Sequence, residues 1–208
     1  WFGFNPGSTL GVTSDGGALA ARVAVNTNMA AADGAIAAMV TVWLRFGKPD
    51  LSMTMNGALA GLVAVTAPCA YIEVWAAVAI GLIGGVIVVF GVRLLDRLGV
   101  DDPVGAVPVH GMNGLWGTLA VGLFASPAVG GDAGPVGLFY GGGLHQLGVL
   151  ALGGLAGAAF SLTVMGLVFL VLKRTMGLRV SEEEELKGLD IGEHGLEAYS
   201  GFQIFTTE

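Results

Sequence analysis

The chain has 208 residues, 54% of them hydrophobic and 12% charged, with a formal net charge of −7. Water-soluble domains carry about 25% charged residues, so the composition excludes an ordinary soluble domain. The nine Lys and Arg form no patch suited to a nucleic-acid partner.

The charges are also segregated. Residues 51–92 hold one charged side chain, Glu73, and residues 103–172 hold one, Asp132. Half of the acidic residues fall in the last 30 positions, which predicts a membrane part followed by a polar tail. Glycine occurs 36 times, mixed with Ala, Leu and Val rather than with Ser or Pro. In membrane helices such small residues let backbones approach closely, so they are read as packing residues.

In chain order, Trp1-Phe2-Gly3-Phe4-Asn5 carries neither an initiator Met nor a signal-peptide pattern. It reads as the interior of a helix that ends near residue 8, broken at Pro6-Gly7, and the start of the natural protein is expected to be missing. Trp1, Phe2 and Phe4 suit either an interfacial aromatic belt or a cation–π site or gate at a pore mouth. Five stretches then approach the ~20 apolar residues that a membrane helix needs. They run over about 16–44, 51–71, 72–95, 105–124 and 143–172.

The first stretch holds Arg22, Asn26, Asn28 and Asp33. The spacing of Arg22, Asn26 and Asp33 puts them on one helical face. They form either an interhelical hydrogen-bond network or the polar lining of a pathway. The Gly57/Gly61, Gly81/Gly85 and Gly153/Gly157 pairs predict tight helix contacts. Cys69, the single cysteine, has no disulfide partner or metal-ligand spacing and reads as a packing residue.

His110 lies in Val107-Pro108-Val109-His110-Gly111-Met112-Asn113-Gly114, an apolar segment short of other ionisable groups. An imidazole there is either a satisfied structural side chain or, as is usual for intramembrane ionisable groups, a pathway residue. Neutral imidazole has one donor and one acceptor nitrogen and can bind or relay a proton. His145 stands near an interface and reads as structural; His194 lies in the tail. The run of four glutamates at 182–185 reads as a solvated helix face. No phosphate-binding loop, nucleophile elbow or metal cluster is present in the sequence, so neither enzyme chemistry nor a cofactor is expected.

Basic residues orient the spans. Arg45, Lys48, Arg93, Arg97, Lys173, Arg174 and Arg179 follow alternate spans, whereas the loops around 66–72 and 126–142 have none. The basic side, with the tail, is expected to be cytoplasmic.

Several motifs together resemble the ammonium transporter (Amt/Mep/Rh) family. Trp1-Phe2-Gly3-Phe4-Asn5-Pro6-Gly7-Ser8 resembles its signature at the outer end of helix six. Asn56-Gly57-Ala58-Leu59-Ala60-Gly61-Leu62-Val63-Ala64-Val65-Thr66 resembles its eighth helix. Asp101-Asp102-Pro103 followed by Val109-His110-Gly111 resembles the approach to its tenth. Gly188-Leu189-Asp190, His194-Gly195 and Ala198-Tyr199 resemble its cytoplasmic tail.

The resemblance implies an all-α, polytopic membrane helix bundle, the second half of an eleven-helix inverted-repeat fold. Residues 1–175 would be the end of helix six and helices seven to eleven, and residues 176–208 a cytoplasmic regulatory tail. It implies a homotrimer in the plasma membrane with one pore per subunit, and a PII-type regulator meeting the tail. Phe4 matches a gate phenylalanine, Ser8 an external recruitment residue and His110 one of two pore histidines. Trp1 joins the substrate pathway, and Asn5, Asp101 and Asp102 its support or cytoplasmic approach. Gly188, Asp190, His194 and Tyr199 belong to the tail. The partner histidine, the second gate phenylalanine and the recruitment tryptophan are expected on helices outside this chain. Where some members carry Cys-Asp after Asp-Asp-Pro, this chain has Val104-Gly105, which leaves out a second carboxylate. The expected activity is passage of ammonium as NH₃ through an apolar, histidine-lined pore. The alternative is an ammonium sensor signalling through its tail.

Overall fold

The computed structural model describes residues 1–13, 15–131 and 134–198. Among the described residues it contains helices and turns and no strand. Helix α1 is short (Phe4–Gly7), followed by α2 (Asp15–Phe46), α3 (Leu51–Thr66) and α4 (Val74–Leu98). A π-helical turn (Val107–Met112) leads directly into α5 (Asn113–Phe124). Then come α6 (Pro127–Gly130), a 3₁₀ turn (Leu138–Tyr140), α7 (Gly143–Thr175), α8 (Glu182–Lys187) and α9 (Leu189–His194). Segments Gly16–Phe46, Val74–Leu98 and Gly143–Thr175 are long and apolar enough to cross a membrane. Helix α1 ends at Gly7, within the Pro6-Gly7 pair where a break was expected. Pro6 lies in its first turn, where the amide it lacks has no helical acceptor.

Local chemistry sets the helix ends. Asp50 caps α3, its carboxylate accepting the Met53 N–H at 2.6 Å. Gly99 ends α4 in the left-handed region (φ 68°), and the Val100 N–H closes back on the Leu95 carbonyl at 3.0 Å.

Residues 1–158 form one compact unit and residues from 159 on a second, so α7 contributes to both. Helices α2, α3 and α4 form the centre of the first unit. Their contacts run through glycine. A Cβ on Gly61 would stand 2.0 Å from the Ala30 carbonyl oxygen, and on Gly81 2.4 Å from the same atom. The equivalent distances at Gly57 and Gly85 are 2.5 Å and 2.3 Å to the Gly34 oxygen. Two of the three glycine pairs therefore pack as expected. The third does not: nothing lies within 4 Å of a Cβ on Gly153 or Gly157.

Asn26 is fully buried and explains part of the polar face of α2. Its amide donates to the Cys69 and Ile72 carbonyls at 2.9 and 3.0 Å, tying α2 to the α3–α4 turn. Arg22 is exposed, because its long stem lets the guanidinium leave the packed layer. Asp33 is half-buried, and one of its carboxylate oxygens is buried without a hydrogen-bond partner. Cys69 is buried and free, as a packing residue should be.

In the second unit, Ser181 and Glu184 form a reciprocal capping box at the start of α8. Gly188 (φ 91°) joins α8 to α9.

Candidate functional site

The site is built where α1, the end of α3 and the π-helical turn meet. Asn5 fixes α1 against α2. It is buried, and its amide donates to the Thr27 hydroxyl at 3.1 Å. Anchoring α1 this way positions Trp1 one turn earlier, where the Asn5 N–H donates to the Trp1 carbonyl. The Trp1 indole N–H then donates to the Thr66 hydroxyl at 2.8 Å, at the C-terminus of α3. Its ring stacks on His110, with centroids 6.3 Å apart and planes inclined by 23°. Trp1 is therefore not part of an outward belt; it turns onto the imidazole. Phe2 and Phe4 remain exposed.

His110 is held by the turn around it. In a π-helix each carbonyl reaches one residue further than in an α-helix, which rotates the next side chains relative to a regular helix. Asn113 stabilises this register, its amide donating to the Pro108 carbonyl at 2.9 Å. Close packing beneath the turn adds to it: a Cβ on Gly91 of α4 would meet Met112 Sδ at 2.8 Å and Pro108 Cβ at 2.9 Å. Asp102 holds the start of the turn, accepting the Ala106 and Val107 N–H groups at 2.7 and 2.9 Å. The geometry makes Asp102 a cap that supports the histidine segment. Asp101 lies beside it in the segment that links α4 to the turn. Gly105 adopts φ 71°, in the left-handed region that favours glycine. Asn56 sits against Gly105, its amide donating to the Val104 carbonyl at 3.2 Å. His110 is exposed, and its ring lies on the face that also carries Trp1.

A cleft of about 430 Å³ adjoins this face, lined among others by Phe4, Ser8, Thr9, Thr66 and Tyr71. The Ser8 hydroxyl donates to the Phe4 carbonyl at 2.8 Å and that of Thr9 to the Pro6 carbonyl at 2.7 Å. With their hydrogens committed, both oxygens present lone pairs, which suit a ligand that is purely a donor. The two aromatic rings add π-faces that attract cations. Sequence reading did not single out Thr66, Thr9 or Tyr71. Thr66 alone carried a signal, as a polar residue closing an apolar helix.

In the tail, the Asp190 carboxylate accepts the Ala198 N–H at 3.0 Å. That bond, with help from the Ile191 amide, holds its carboxyl below the usual carboxylate range. His194 ends α9, four residues after Asp190. Tyr199 lies outside the described residues. Among the described residues no group of His, Cys, Asp and Glu could hold a metal ion.

The sequence profile of the Ammonium Transporter Family matches residues 1–199. Ammonium transporter Amt2 of Archaeoglobus fulgidus is 46% identical over 212 residues, covering all of this chain and 44% of that protein. The ammonium transporter of Bacillus subtilis is 40% identical over 201 residues, covering 96% and 48%. Among solved structures, a Sensor Amt Protein aligns with a TM-score of 0.81 at 38% identity, over 93% of this chain and 46% of that one. Candida albicans Mep2 aligns with a TM-score of 0.80 at 34% identity, over 94% and 44%. The chain thus spans about half the length of the relatives it matches. Its helices, the order of its motifs and a profile match running through residue 199 together assign the chain to the ammonium transporter family.

Proposed function

We propose that the protein carries ammonium across the membrane by letting NH₄⁺ shed its proton and pass as NH₃ along the face of His110. The stack of Trp1 on His110, pinned by Thr66, carries this reading, because it sets an aromatic surface beside an imidazole and shares Thr66 with a hydroxyl-lined cleft. Ammonium is recruited in that cleft, where Ser8 and Thr9 offer acceptor lone pairs and Phe4 and Tyr71 offer π-faces. Taking an intact cation deeper into an apolar conduit costs about 3 kcal/mol or more. Potassium cannot avoid that cost. NH₄⁺ avoids it by giving its proton to an acceptor along the path, and the NH₃ left behind has one lone pair, which can accept from an imidazole N–H. The acceptor nitrogen of the same ring suits it to proton relay.

The relatives named as ammonium transporters support this substrate. On the same family reading the protein is a homotrimer of the plasma membrane. The positive-inside distribution of Arg45, Lys48, Arg93, Arg97, Lys173, Arg174 and Arg179 supports a cytoplasmic tail. There α8 and α9, with Gly188, Asp190 and His194, offer a folded surface to a PII-type regulator.

The test is His110→Ala in the intact protein, read by ammonium-evoked current and methylammonium uptake. We expect loss of transport or entry of K⁺. Unchanged rate together with unchanged K⁺ exclusion removes His110 from the mechanism. The likeness to a Sensor Amt Protein favours one other reading, in which ammonium binds and signals through the tail. Ammonium binding without measurable flux in proteoliposomes would select it.

A further inference from the structure

Glu73 is the residue before α4, yet its carboxylate caps no amide of that helix. One oxygen accepts the Ser126 hydroxyl at 2.9 Å and the other the Trp75 indole N–H at 3.0 Å. The Tyr140 hydroxyl reaches the same carboxylate. Ser126 stands at the start of α6, and Tyr140 closes the 3₁₀ turn. Three segments far apart in sequence therefore meet on one side chain. Phe124 joins them a second time, packing edge-on against Trp75 and Phe139 with centroids 5.7 and 5.1 Å away. Ser126 is fully buried, so its hydroxyl depends on this acceptor. Hydrogen bonds to an ionised carboxylate are roughly twice as strong as neutral ones.

This latch backs one wall of the cleft beside Ser8. Thr66, Ala67, Cys69, Ala70 and Tyr71 line that wall, all from the end of α3 and the turn to α4. Asn26 ties the turn from within. From the other side, the Ser126 N–H donates to the Tyr71 carbonyl at 2.8 Å. A Cβ on Gly130 of α6 would stand 3.6 Å from Tyr71 Cδ1, so the tyrosine ring lies against that helix. We propose that Glu73 is a positioning residue, which through Ser126 and α6 holds the Tyr71 ring in place as a π-face for ammonium. On the reading that ammonium is recruited in this cleft, Glu73 sets the cleft's affinity while standing outside its lining, and leaves passage along His110 alone.

Methylammonium uptake by the intact protein in proteoliposomes gives KM and Vmax. Glu73→Gln keeps the size of the side chain but replaces one acceptor oxygen with a donating amide. It is expected to raise KM about two- to fivefold, the worth of one exposed cation–π contact, with Vmax unchanged. Ser126→Ala cuts the same link from its other end and carries the same expectation, should Glu73→Gln fail to fold. Tyr71→Ala should raise KM as well, and Glu73→Gln should add nothing in that background. A rise from Glu73→Gln that persists undiminished in Tyr71→Ala overturns the link to the ring. An intact KM with a lower Vmax or melting temperature marks a merely structural bond and overturns the proposal. A rise for Tyr71→Ala with none for Glu73→Gln or Ser126→Ala removes Glu73 alone. Should Tyr71→Ala itself leave KM unchanged, recruitment in this cleft is wrong, and the role of Glu73 falls with it.

Discussion

Two glycines of α5 offer a controlled test of how the bundle is held. Gly117→Ala would place a Cβ 2.4 Å from the Ala64 carbonyl oxygen, 3.0 Å from its carbon and 3.1 Å from the Ala64 Cα. All three are backbone atoms of α3, so no side chain can swing aside. Ordinary contact begins near 3.4 Å. Relief therefore requires α5 to move by about 1 Å from α3, an overpacking of the kind that costs ~1–3 kcal/mol. Gly114→Ala, three residues earlier in the same helix, would meet only Val63 Cγ1 at 3.9 Å. Both substitutions gain up to ~1 kcal/mol of helix propensity, so their difference isolates the packing cost. At about 2–4 °C per kcal/mol for a chain of this size, Gly117→Ala should melt roughly 2–12 °C below Gly114→Ala. The assay is thermal unfolding of the intact protein in detergent. Equal melting temperatures, or a lower one for Gly114→Ala, would refute the close α3–α5 contact.

The remaining predictions concern the site and the tail. Trp1→Phe keeps a ring for His110 but removes the donor to Thr66; it should lower transport without unfolding the protein, and Thr66→Val should match it in uptake assays. Asn113→Leu removes the side-chain donor to the Pro108 carbonyl while the N–H of residue 113 still reaches it; it should cost about 1 kcal/mol, the usual worth of one hydrogen bond, seen as a lower melting temperature. The Ser181 hydroxyl and amide hold the Glu184 carboxyl below the glutamate range. A depressed carboxylate contributes stability above its unfolded value of about 4.3 and loses it as pH falls through the lower folded value. Amide exchange in α8 should therefore stay slow above that value and quicken as pH drops through and below it, after correction for intrinsic rates. Ser181→Ala should remove the transition.

Much of the architecture is legible in one dimension. A stretch of apolar residues long enough to span a bilayer needs no tertiary information, and the five stretches correspond to α2, α3, α4, the π-turn with α5, and α7. His110 stood out because an imidazole among Val, Pro and Gly has no local partner. Trp1 was harder. Aromatic residues near a span's end usually mark an interface, and its contacts with Thr66 and His110 join segments far apart in sequence. The π-turn was also hidden, since its register depends on Gly91 packing under Pro108 and on the Asn113 amide.

Composition and periodicity alone determined that this chain belongs in a membrane and where its helices run, because burial in lipid acts on each segment separately. Tertiary structure alone decided which glycines are contacts. Gly57, Gly61, Gly81 and Gly85 touch neighbouring backbones, whereas Gly153 and Gly157 share the same pattern and touch nothing. It also decided that Trp1 turns onto His110, since close packing and hydrogen bonding between distant segments depend on positions in space that spacing along one helix does not encode.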